Sequence, residues 1–266
     1  MAPRPYLGRA SIAMTINTTI GGGVATLEIA RPQKKNALTL AMYEAMTEAI
    51  ATAMADDAVR ALLIVGQPGI FTSGNDLEDF MQRPPSGEDS PVFRFMLSLA
   101  ACDKPVVAAV TGAAVGIGTT MLLHCDLVYV SEDAQLSMPF VGLGLVPEFG
   151  SSLLLPHLMG HAKAAEKLLL GDPLTAADAA DCGIASRVLP AGEVVAHARR
   201  MAERFNSLPP GAVRDTKRLM RSGSKEGILR AIRAEAAVFA ERLHSPEAKE
   251  AFAAFFAKRR PDFSKF

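Results

Sequence analysis

The sequence predicts an α/β core followed by a helical region, and three observations carry that prediction. Near-continuous apolar runs recur at residues 59–66 (VRALLIVG), 104–112 (KPVVAAVTG) and 126–131 (DLVYVS), the pattern of strands buried on both faces. Stretches with helical period or glycine-bearing turns separate these runs, as in an α/β alternation. After Pro190 the strand-like runs stop and every segment has helical pattern.

The elements can be justified in order. Residues 21–32 read as a turn and a strand, with Ala25, Leu27 and Ile29 alternating with polar Thr26 and Glu28 before Arg31-Pro32 ends the run. Residues 39–54 have helical period, with Met42, Ala45, Met46, Ala49, Ile50 and Ala53 on one broad face and Thr39 in the N-cap position. Residues 71–81 form a loop entering a helix, and 83–91 (RPPSGEDSP) read as a loop expected to be mobile. Residues 113–125 read as a glycine-bearing loop running into an apolar helix. Beyond Pro190, Pro209-Pro210, Gly223 and Ser245-Pro246 punctuate successive helices. The organisation expected is a disordered or leader segment at 1–14, a core over 15–190 and a helical region over 191–266. Phe252, Phe255 and Phe256 near the end need a surface to cover, which a second subunit could supply.

Composition narrows the function. The 28 basic and 28 acidic residues balance, so the basic excess of a nucleic-acid binder is missing. The three cysteines form no C-x-x-C pair, which argues against a disulfide scaffold or zinc site and for a reducing compartment; a cytoplasmic protein is expected. No apolar run suits a bilayer, so no membrane association is expected. The first residues carry arginine and no acid, and the terminal Ser-Lys-Phe differs by one residue from a peroxisomal address. The five histidines are scattered and read as structural or solvated; His124 and Cys125 are adjacent and point apart. No metal site is expected.

Two glycine loops, FTSGNDL (71–77) and GAAVGIGTTM (112–121), follow buried strands and open into helices. Neither fits a nucleotide-phosphate motif. Two such loops could instead aim two N–H groups at one oxygen, an arrangement used where a carbonyl oxygen gains negative charge. A single carboxylate, Glu148, lies in the stretch GLGLVPEFGSS (142–152). From the residues alone it reads either as a first-turn acid favoured by the helix dipole or as a base in an apolar pocket.

Five ordered blocks then resemble one family: RPQKKNALT (31–39), FTSGNDL, KPVVAAVTGAAVGIGTT (104–120), CDLVYVSEDAQLSMP (125–139) and GLGLVPEFGSSLLLPHLMG (142–160). The chain, from about residue 15 onward, resembles the enoyl-CoA hydratase/isomerase (crotonase) superfamily. The resemblance implies a spiral of ββα units with a C-terminal helical trimerisation region, a homotrimer or hexamer, and an acyl-CoA thioester as substrate. No separate cofactor is implied, because coenzyme A is part of the substrate. It implies an oxyanion hole from the backbone N–H groups of Asn75 and Ile117. It implies substrate or CoA contacts near Lys35, Ser73, Asp76, Leu77, Phe140 and Lys258, with Asp76 also expected to cap the following helix. Family hydratases resemble one another in using two glutamates; those positions hold Thr120 and Phe140 here. The chain is more similar to Δ3,Δ2-enoyl-CoA isomerases, in which one glutamate, here Glu148, shuttles a proton between C2 and C4. Glu78 and Asp79 are read as surface helix charges first. Another crotonase-type reaction (hydration, thioester hydrolysis or a lyase step) and a non-catalytic acyl-CoA-binding protein are the alternatives.

Overall fold

A computed structural model describes residues 4–5, 16–84 and 87–266. The strands are β1 (Arg4–Pro5), β2 (Ile16–Gly21), β3 (Val24–Ile29), β4 (Ala61–Val65), β5 (Ile70–Thr72), β6 (Val106–Val110), β7 (Ala113–Val115), β8 (Leu127–Ser131), β9 (Gln135–Ser137), β10 (Leu174–Thr175) and β11 (Arg187–Leu189). They form one sheet in the order β1-β2-β3-β4-β6-β8-β11 and a second in the order β10-β9-β7-β5. The first is parallel from β3 onward. In the second, β5, β7 and β9 run parallel and β10 antiparallel.

Each long strand β4, β6 and β8 is followed directly by a short one, β5, β7 and β9, in the other sheet. The chain therefore lays down one rung of each sheet per turn, which is the predicted spiral. The corner after β6 needs Gly112: its φ is +64°, and a Cβ there would sit 1.9 Å from the Gly69 carbonyl oxygen of the previous turn. The short second-sheet strands are where the sequence reading fell short. Ala113–Val115 were read as loop, but three residues are too few to show a period.

Helix α1 (Leu40–Ala55) is capped by Thr39 as expected and packs beside α3 (Pro91–Ala101) over the sheets. Between them lies α2 (Leu77–Gln82). The main core joins Leu27, Ile29, Tyr43, Met46, Leu62, Phe71 and Phe95. The half-polar pattern of β3 misled on one point: Thr26 is buried, bonded by Arg199. Its face of the sheet is covered by α8 (Val194–Glu203), whose Val194, Ala198 and Ala202 pack on Val24, Leu63 and Val107. The helices α4 (Ile117–Thr120), α5 (Ser151–Met159), α6 (His161–Ala165) and α7 (Ala176–Asp181) precede it.

The helical region continues as α9 (Pro210–Ser222), α10 (Lys225–Leu243) and α11 (Pro246–Phe256), with boundaries at the expected punctuation. Asp126 anchors α9, accepting Lys217 Nζ at 2.6 Å and Arg221 at 3.0 Å. Phe252 is buried, whereas Phe255 and Phe256 stay exposed. Of the 1–14 segment, Arg4–Pro5 pairs with Ile20 and Thr19; its other residues lie outside the described residues. So do Pro85 and Ser86, within the loop expected to be mobile. Among the described residues, no helix is long and apolar enough to cross a membrane.

Candidate active site

The two glycine loops leave neighbouring parallel strands, β5 and β7, at the same sheet end. They touch backbone to backbone. A Cβ on Gly74, whose φ is +87°, would lie 2.8 Å from the Val115 carbonyl oxygen. Asn75 and Ile117 each lie just beyond this contact. Leu38 pairs with Asn75 as a parallel bridge: Leu38 N–H donates to Gly74 O at 2.8 Å, and Asp76 N–H to Leu38 O at 2.8 Å. In such a bridge the Asn75 N–H points the other way. Ile117 opens α4, and a first-turn N–H has no partner inside its helix. Neither amide finds an acceptor among the described residues.

The 31–39 segment runs alongside the first loop. Ser73 N–H donates to the Lys35 carbonyl at 3.0 Å, so Lys35 and Ser73 are adjacent, Lys35 exposed and Ser73 half-buried. Asp76, expected both to cap and to contact substrate, is committed to the fold. It accepts the Glu78 and Asp79 amides and an ion pair from Arg31 at 2.5 Å, which hold its carboxyl below the usual range against the opposing effect of burial. Leu77 begins α2 and packs against the core. Glu78 and Asp79 are surface helix charges as read: Glu78 is exposed near Lys34, and Asp79 bonds Arg83 and the Leu40 amide.

Glu148 lies outside the helix that follows it. Phe149 and Gly150 both adopt left-handed backbone, with φ of +62° and +75°, and α5 starts only at Ser151. The cap of α5 is Glu235 from α10, whose carboxylate accepts the Gly150 amide at 2.5 Å and the Ser152 amide at 2.9 Å. So the helix-cap reading of Glu148 is occupied by another acid. Glu148 is 5% exposed, and its Oε1 has no hydrogen-bond partner among the described residues. Burial, and then the nearby Glu235 carboxylate, push its pKa up to about 8.

Glu148 faces a cavity of about 240 Å³ lined by Phe80, Val92, Phe93, Met96, Phe149, Ile232, Phe239 and Ala240, with Glu88 and Arg233 among the polar residues. Those two form an exposed ion pair at 2.9 Å. Asn75 and Ile117 do not line this cavity; Tyr43 connects the two regions. Its hydroxyl donates to Asn75 Oδ1 at 2.5 Å, and its ring packs on Phe95, which in turn packs on Phe149. Burial and then the Glu148 charge hold the Tyr43 hydroxyl well above its usual pKa, so it stays a donor.

Thr120 and Phe140 are both buried. The Thr120 hydroxyl has no partner among the described residues. Phe140 was expected to line an acyl channel. Its ring lies 3.8 Å from where a Cβ on Gly116 would stand, beside the second loop, and does not line the Glu148 cavity. Lys258 sits exposed beyond α11 and does not line the cavity either.

Two residues escaped the sequence reading, Tyr43 and Glu235, and His124 was read only as structural or solvated. Glu235 had a signal. It interrupts the apolar stripe Ile228, Ile232, Phe239 and Leu243 of α10, where a charge is out of place unless it is paired.

The comparisons with known proteins match this architecture. The model of the enoyl-CoA hydratase/isomerase family matches residues 19–265. The chain belongs to that family. Among similar members, "Enoyl-CoA delta isomerase 2" of Rattus norvegicus is 34% identical over 95% of this chain and 66% of its own length. The human protein of that name is 35% identical over 83% of this chain and 57% of its own. The chain thus spans less than two thirds of either isomerase. A "Probable enoyl-CoA hydratase" of Bacillus subtilis is 30% identical over 93% of this chain and 98% of its own. The solved structure of Pseudomonas aeruginosa OdaA superposes with a TM-score of 0.90 at 53% identity, covering 91% of this chain and 99% of that one. The crotonase fold is common to them; the names divide between hydratase and isomerase.

Proposed function

We propose that this crotonase-family protein converts 3-enoyl-CoA to 2-trans-enoyl-CoA, with Glu148 as its single base. The observation that carries the reading is the Glu148 side chain, which lines an apolar cavity and is buried and uncapped, with an Oε1 that has no partner among the described residues. Glu148 removes a C2 proton. The C2–H electrons form a C1=C2 bond as the carbonyl π electrons move onto the thioester oxygen, giving a dienolate (C1=C2–C3=C4) whose oxygen takes the Asn75 and Ile117 N–H groups. Glu148 then returns the proton at C4: the C3=C4 electrons take it, the C1=C2 electrons form C2=C3, and the carbonyl re-forms. No water is consumed and no electrons leave the substrate. A carboxyl held near neutral pKa suits both halves of the shuttle. Thr120 and Phe140 in place of the hydratase acids support isomerisation over hydration.

The test is to follow absorbance of the conjugated thioester from 3-cis- and 3-trans-enoyl-CoA. Wild type should form it, and Glu148→Gln should lose it. Failure of wild type, or full activity in Glu148→Gln, would sink the reading. Hydration is the second reading, favoured by relatives named hydratases and by the free Thr120 hydroxyl. Its sign would be turnover of a 2-enoyl-CoA to a hydroxyacyl-CoA. The same reading includes a homotrimer or hexamer, supported by the exposed Leu219, Met220, Phe255 and Phe256; sedimentation would give its size.

A further inference from the structure

The peptide group between Phe149 and Gly150 is gripped at both ends by buried side chains from distant parts of the chain. Its carbonyl oxygen meets His124 Nε2 at 2.7 Å, and its N–H donates to Glu235 Oε2 at 2.5 Å. We propose that His124 and Glu235 are positioning residues that clamp this peptide and so aim the Glu148 carboxylate into the cavity. The inference rests on the proposed role of Glu148.

The need for a clamp follows from the backbone. Phe149 holds φ of +62°, a left-handed region that a bulky residue adopts only under strain. Unclamped, the turn would relax toward ordinary helical or extended backbone, and the side chain one residue earlier would swing with it. His124 also stacks on the Phe149 ring, centroids 4.0 Å apart at 20°. A carbonyl only accepts, so Nε2 must carry the proton. Burial holds the His124 pKa down at about 4, so a neutral imidazole with a fixed donor persists through the working pH range. Glu235 adds a second effect. Beyond Gly150, its carboxylate takes the Ser152 amide and hydroxyl, and it is a like charge beside Glu148. The titratable groups facing Glu148 are therefore Glu235 from α10, Tyr43 from α1 and neutral His124 from the turn after α4, with the Arg233–Glu88 pair on the cavity wall. Arg221 and Lys217 act on His124 from α9.

Four variants, with Glu148→Gln alongside, test the clamp by steady-state kinetics on 3-enoyl-CoA, a pH profile and crystal structures. His124→Leu should lower kcat roughly a hundredfold, the scale of a small misplacement of a reacting group, with KM little changed. His124→Gln keeps an N–H donor and should recover most of it, whereas His124→Asn, one methylene shorter, should not. Glu235→Gln should lower kcat and also move the acid limb of kcat/KM to lower pH, because the anion beside Glu148 is gone. A purely structural role would lower thermal stability while leaving that limb in place and the two amides at 124 equal. The clamp is overturned if kcat stays near wild type in His124→Leu and Glu235→Gln, or if the limb does not move. Should either of those variants not fold, equal kcat in His124→Gln and His124→Asn would overturn it. The crystal structures need no assay: Phe149 keeping its left-handed φ in every variant, with Glu148 unmoved, also overturns it. An active Glu148→Gln enzyme, by contrast, would overturn the isomerase reading itself.

Discussion

The Glu235 carboxylate accepts the amide of Gly150, 85 positions earlier in the chain, and by capping α5 leaves the Glu148 carboxylate without a capping role. Two acids thus stand near one helix start, and they divide the work. The one from α10 satisfies the orphan amides; the one in the loop lines an apolar cavity and keeps a buried oxygen unpartnered among the described residues. The helical region after Pro190, expected to build oligomers and to carry Lys258 toward CoA, also supplies Glu235 and the α10 wall of the cavity that Glu148 lines.

Glu148 should cost the protein stability. Its pKa is about 8 in the folded chain against an ordinary 4.5. Between those values the unfolded chain has released this proton and the folded chain still holds it, so its contribution is intact below the unfolded pKa and is lost as pH rises toward 8. Glu148→Gln does not titrate. It should match wild type near pH 4 and exceed it by on the order of a few kcal/mol near pH 8. Thermal melts at both pH values check this; a gain that is equal at both would refute the cause given.

The same shift sets the activity profile. Glu148 must be ionised to take a C2 proton, so kcat/KM should rise with pH to a limb near 8. Below the limb it should fall about tenfold per pH unit, as expected for one essential proton. A limb in the ordinary carboxylate range would mean that Glu148 is not the base.

Gly74 is the pivot of the two loops. Its φ of +87° and the 2.8 Å approach to Val115 O leave no place for a methyl. Gly74→Ala should cost about 1–3 kcal/mol of stability for the backbone conformation alone. It should also push the loops bearing Asn75 and Ile117 apart. The expected result is a kcat loss larger than the melting shift explains, measured in protein that is still fully folded.

Much of this was legible in the chain. Continuous apolar runs announced β4 and β6, Thr39 announced the start of α1, and the proline and glycine punctuation divided the final helices. What stayed hidden depended on long-range contacts. Thr26 looked like a solvent-facing strand residue because α8, which buries it, lies far along the chain. Phe140 looked like a channel residue, and its ring lies beside Gly116 rather than on the cavity that Glu148 lines. Glu148 carried two readings until its rival for the helix cap was seen, and that rival is a residue of α10.

Thr120 separates isomerisation from hydration. Its hydroxyl is buried without a partner, which carries a desolvation cost. Thr120→Val keeps the shape and removes the orphan. If no water needs holding there, the variant should be at least as stable as wild type, by up to about 1 kcal/mol, with isomerase activity unchanged. A selective loss of turnover would assign the hydroxyl to a bound water or substrate atom.

Ala240 tests the cavity as an acyl site. It lies on α10, half-buried, one residue beyond Phe239, and lines the 240 Å³ space that Glu148 faces. If the acyl chain lies in that space, Ala240→Phe fills part of it without touching Glu148 or its clamp. Short 3-enoyl-CoA substrates should keep their kcat/KM. Longer ones should lose it progressively, by about 1–3 kcal/mol of transition-state binding for each methylene pair displaced, the order expected from apolar burial. A uniform loss across chain lengths would mean that the helix had shifted as a whole. An unchanged preference would place the acyl tail elsewhere.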